Sequence, residues 1–149
     1  MKEFEISRLR PCPDALEYRS KFNTFNEAWG NCPRGDWMLW LAAKLNVNIR
    51  TLTTAKALCA NTVRHLMKDD RSKNAIDIAL LFGNGEATIE ELNIAYAAAY
   101  AATDDDAATD DDAATDDDAA RLENQLQTAN ICRDVLTEEV LLLITHEKR

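Results

Sequence analysis

Glycine and proline are scarce in this chain: 4 and 3 among 149 residues. That scarcity excludes a many-stranded sheet, which needs frequent turn residues, and points to helices. No apolar run reaches the ~20 residues of a membrane-spanning helix, and the opening MKEFEISRLR lacks the apolar core of a signal peptide. The chain has no Gly-rich phosphate loop, no G-x-S-x-G and no H-E-x-x-H, so no motif marks it as an enzyme. Its four cysteines, Cys12, Cys32, Cys59 and Cys132, form no C-x-x-C pair, and His65 and His146 lie far from them. Zinc-ligand spacing is therefore missing, and the cysteines read as small buried hydrophobes. The expectation is a soluble, reduced, cytoplasmic protein that is not an enzyme and needs no cofactor or metal.

What is present begins with charge. The chain carries 26 acidic and 17 basic residues, for a net charge of −9. Residues 101–120 read AATDDDAATDDDAATDDDAA and hold nine of the acidic residues: Asp104, Asp105, Asp106, Asp110, Asp111, Asp112, Asp116, Asp117 and Asp118. Without them the balance is 17 against 17, so all the net charge sits in one segment. Such a surface disfavours direct contact with nucleic-acid phosphate or an anionic membrane and suits a basic protein partner. The tract lacks the Gly and the terminal Glu of an EF-hand loop, so it is not a preformed calcium site. Aspartate and threonine are poor helix formers and adjacent aspartates repel. Even so, three hexamers occupy about five full helical turns, which keeps the flanking faces in phase. The reading is one long helix running through the repeat.

The rest of the chain reads as a bundle of about six to seven helices in one all-α domain, long enough to bury a real core. After an extended lead-in over 1–10, Pro13 opens a short helix over 13–21. Thr24-Phe25-Asn26-Glu27 is a capping box for a second helix, which stops at Gly30-Asn31-Cys32-Pro33. Asp36 caps a third, or Pro33 opens it a turn earlier; Trp37, Trp40, Leu41 and Leu45 recur on one face of it. With Trp29 and Cys32 upstream they read as core, with an aromatic binding platform as the alternative. Asp36 as a cap also accounts for the tripeptide Arg34-Gly35-Asp36, which otherwise spells an adhesion motif. A fourth helix is expected over 48–67 and a fifth over 71–82, ended by Gly83-Asn84-Gly85. Thr88-Ile89-Glu90-Glu91 is a second capping box leading into the repeat, and Thr137-Glu138-Glu139 restarts a short last helix. The middle of the chain is basic: Arg50 and Arg64 share a face of the fourth helix, with Lys68 continuing it. That face either is solvated or contacts the acidic tract.

The block PCPDALEYRSKFNTFNEAWGNCPRGDWMLWLA (11–42) resembles a family of small helical immunity proteins of bacteria and phages. Cys12-Pro13, Glu27-Ala28-Trp29 and Cys32 to Trp37 with Trp40-Leu41 carry the resemblance. GEATIEELNIAYAAAYAA (85–102) and ICRDVLTEEV (131–140) extend it over most of the chain, while the strict acidic hexamer departs from the family's irregular Ala-rich helix. The resemblance implies an all-helical fold and a role in neutralising a toxin by binding it. Two rival expectations stand beside it. One is a phage anti-defence protein that mimics nucleic acid or binds a nucleotide; the other is a structural homo-oligomer paired through its long helices.

Overall fold

The computed structural model describes residues 4–107 and 118–147. Among the described residues there are seven α-helices and no strand: α1 (Pro13–Ser20), α2 (Phe25–Asn31), α3 (Gly35–Lys44), α4 (Ile49–Asn61), α5 (Asp70–Gly83), α6 (Ile89–Ala107) and α7 (Asp118–Glu147). The lead-in is not extended. Ile6–Leu9 coils into a 3-10 turn, and Phe4 is buried edge-on against Phe25, with ring centroids 5.4 Å apart.

Local chemistry accounts for most helix ends. Pro13 stands in the first turn of α1, where its missing N–H is no loss. The Thr24 hydroxyl accepts from the Glu27 N–H at 3.2 Å and starts α2. At α6 the capping box closes both ways, with Thr88 Oγ1 accepting from the Glu91 N–H and Glu91 Oε1 accepting from the Thr88 N–H. Gly85, with φ of 83°, ends α5 as expected. Asn46 does the same for α3: its φ is 61°, and the Val47 N–H reaches back to the Ala42 carbonyl at 3.0 Å.

Four further expectations are corrected. Asp36 does not cap α3; Arg34 holds the N-cap position and Asp36 lies in the first turn. The buried face of α3 is Met38, Leu41, Ala42 and Leu45, so Trp37 and Trp40 stand at its edge, half-buried. The fourth helix stops at Asn61 rather than Met67, and Arg64–Leu66 forms a separate 3-10 turn. There is no helix restart at Thr137, because α7 runs unbroken from Asp118 to Glu147.

The helices build two cores. In the first, α7 lays Ala129, Cys132, Leu136, Val140 and Ile144 against α3 and α4, and all five are almost completely buried. Phe25, Trp29 and Cys32 from α2 and its end close this core. In the second, α5 lies between α4 and α6 around Ala57, Ile76, Ala79, Phe82 and Leu92. Helix α4 serves both, with Leu52, Ala55 and Cys59 turned to the first and Ala57 to the second. No helix among the described residues is long and apolar enough to cross a membrane.

Candidate functional site

The clearest concave site lies where α1, α2 and the start of α3 meet. It is a half-open cavity of about 400 Å³. Trp29, Trp37 and Trp40, the only tryptophans of the chain, all line it. Apart from Ile6, every lining residue falls within 11–42, the block on which the family resemblance rests. The tryptophans differ in burial. Trp29 is a core residue, stacked on Phe25 with its indole N–H donating to Thr137 Oγ1 at 2.8 Å. Trp37 and Trp40 are half-buried and form wall.

The polar groups of the cavity are few and mostly committed. Arg34 forks onto Asp36, with Nε to Oδ1 at 2.9 Å and Nη2 to Oδ2 at 2.6 Å, and its guanidinium lies 4.5 Å from the Trp37 ring centre. That fork holds the Asp36 carboxyl below the usual carboxylate range. Tyr18 packs on Trp37 and donates its hydroxyl to the Ala28 carbonyl at 2.8 Å. Burial, seconded by Cys32, pushes its pKa up to about 12. Burial also raises the Cys32 thiol, which points to the Arg34 carbonyl. Arg133 of α7 reaches the Cys32 and Trp29 carbonyls at 2.6 and 3.3 Å, placing a cation at the C-terminus of α2. Arg19 differs from the others. One of its terminal nitrogens donates to the Phe22 carbonyl at 2.9 Å, but its Nε is buried and has no hydrogen-bond partner. Sequence reading took Leu16 and Tyr18 or Phe22 as the presented residues of the first helix and did not single out Arg19.

The basic face read from the sequence does not assemble. Arg50 lies in the first turn of α4, stacked on Phe82 at 4.3 Å and bonded to the Phe82 carbonyl. Arg64 lies beyond the other end of α4, in a fork with Asp77 at 2.6 and 3.0 Å. Lys68 sits in the following linker, outside any helix. The helical spacing that joined them required a helix through Met67, and α4 ends too early for that.

The acidic residues are placed in part. Asp104, Asp105 and Asp106 fall in the last turns of α6, and Asp118 opens α7. Asp110, Asp111, Asp112, Asp116 and Asp117 lie outside the described residues, as does the middle of the continuous helix expected over 101–120. The two ends of the tract leave from the same end of the bundle. Tyr96, Ala99 and Tyr100 of α6 share a groove with Ala60 of α4 and Ser72 of α5. At the start of α7, Asn124 donates to Thr62 Oγ1, just past α4, at 2.9 Å. Among the described residues, no group of three or more Asp, Glu, His or Cys side chains is placed to hold a metal ion. Comparison with protein-family models, with curated proteins and with solved structures finds no match to this chain.

Proposed function

We propose that this chain is a binding protein of the immunity type, which neutralises a basic protein by docking it on the acidic end of the bundle and carries no catalysis of its own. The observation that carries this reading is the segregation of charge. All of the net −9 belongs to the aspartate tract, and both described ends of that tract emerge beside the C-terminus of α4. Three basic residues near that end are held by local carboxylates: Arg64 by Asp77, Arg71 by Asp69 and Lys73 by Asp70. Next to the tract the helices expose large apolar side chains. Tyr100 of α6 is 74% exposed, and Leu122 of α7 is 61% exposed. Apolar residues beside a single-sign field suit a partner that is basic at its rim and apolar at its centre.

The test is to co-express the chain with the products of its neighbouring genes and to titrate it against any that co-purifies, at about 50 and about 300 mM salt; if none that co-purifies is basic, the proposal fails. The expected result is an affinity that drops at least about tenfold at the higher salt, mainly through slower association. Replacing the nine tract aspartates by asparagine should reproduce that loss at low salt. An affinity indifferent both to salt and to the substitutions would overturn the acidic docking mechanism.

A further inference from the structure

The cavity between α1, α2 and α3 differs in chemistry from the acidic tract, since its lining holds a single carboxylate, Asp36. We propose that it binds a small aromatic monocarboxylate, with the ring among the tryptophans and the carboxylate on Arg19. Its volume of about 400 Å³ lies within the ~300–1,000 Å³ typical of small-molecule sites. Its walls are flat and aromatic: Trp29, Trp37, Trp40, Tyr18 and Phe25. Edge and face contacts with such rings favour a flat ligand over a branched alkyl one.

The ligand's charge follows from the two guanidinium groups that line the cavity. Arg34 is already neutralised by its two-bond fork on Asp36, the one carboxylate of the lining. Arg19 makes no ion pair among the described residues, and its buried Nε donates to nothing. A guanidinium with no carboxylate beside it leaves the lining one positive charge, which the negative charge of a ligand can match. A carboxylate matches the edge of a guanidinium better than any neutral acceptor does. One unmatched cation in an otherwise apolar lining calls for one negative charge, which disfavours a phosphate ester. An aromatic cage can also hold an organic cation. Here Arg34 already covers the Trp37 face and Arg19 adds uncompensated positive charge, so a cation is disfavoured.

Because the cavity holds every tryptophan of the chain, intrinsic fluorescence reads it directly, with calorimetry as the second measurement. Three probes of one shape separate the alternatives: 4-phenylbutyrate, its neutral amide and 4-phenylbutylamine. The acid is expected to bind about tenfold more tightly than the amide, and the amine more weakly than either. Arg19→Met should bring acid and amide to equal affinity while the amide still binds, which also shows that the variant is folded. Ala15→Phe, which fills the cavity from α1, should abolish binding of all three with helical circular dichroism retained. Asparagine at the nine tract positions should change nothing, so this site and the acidic end fail or succeed separately. The proposal is overturned if acid and amide bind alike, if the amine binds best, if no probe binds at millimolar concentration, or if Ala15→Phe leaves binding intact.

Discussion

Single residues show where local signals give way to tertiary ones. Thr137 followed by two glutamates has the spelling of a helix start. Its hydroxyl instead accepts the Trp29 indole N–H and donates to the Arg133 carbonyl within α7, so it fastens α2 to a continuing helix. Nothing within a few residues of Thr137 encodes that partner. Tyr18 is similar: its surroundings come from α2, α3 and α7, and they make it a sensor of alkaline pH. The folded chain holds the Tyr18 proton more tightly than the unfolded chain, with the pKa raised from 10.0 to about 12. Its contribution to stability is therefore complete below pH 10 and is lost as the pH rises towards about 12. Urea denaturation at a series of alkaline pH values should show a steeper fall in stability for the native chain than for Tyr18→Phe. Parallel curves would mean that the phenol is not held this way. The same substitution removes the hydrogen bond to Ala28, at a cost of about 1 kcal/mol near neutral pH.

Helices whose ends are set by their own caps were legible. Thr24, Thr88 and the Gly83-Asn84-Gly85 stop each act within four residues, and each works as its spelling suggests. The end of α4 was not legible, because no glycine or proline marks it. Thr62 bonds back to the Cys59 carbonyl at 2.6 Å and receives Asn124 of α7, a partner 62 residues away. Misplacing that end is what created the expected basic face of Arg50, Arg64 and Lys68. Gly35 illustrates a close approach between elements that no periodicity reveals. A Cβ there would lie 2.3 Å from Thr128 Oγ1 and 2.8 Å from the Thr128 backbone carbon, so α3 and α7 would have to separate. Gly35→Ala should cost about 1–3 kcal/mol, read as a lower denaturation midpoint. Gly30→Ala, inside α2 with nothing within 4 Å, should be neutral or stabilising by up to about 1 kcal/mol. Equal effects at the two sites would show that helix propensity, not the α3–α7 approach, governs both.

At the scale of the whole molecule, the all-α class followed from scarce turn residues and helical spacing, but the division into two cores did not. Alanine-rich faces such as those of α4 and α6 carry weak directional signals, and only packing assigns Ala55 to one core and Ala57 to the other. The cavity was half legible. Its tryptophans stood out, while its cation emerged only once α1 was folded over them. The distribution of sulfur has a consequence for how the fold opens. Cys12 is exposed, whereas Cys32, Cys59 and Cys132 are buried. Cys59 and Cys132 face each other with sulfurs 4.0 Å apart at the contact of α4 with α7, which holds the Cys132 thiol protonated. Under native conditions a thiol-modifying reagent therefore acts as a clock. One equivalent should react at once, and the other three only as fast as their helices part. Cys59 and Cys132 should share one slow rate, because neither can be reached while the other's helix stays docked, and Cys32, beside the cavity, should be released sooner. Mass spectrometry of the labelled chain resolves the order. Unequal rates for Cys59 and Cys132 would mean that the α4–α7 seam opens from one side.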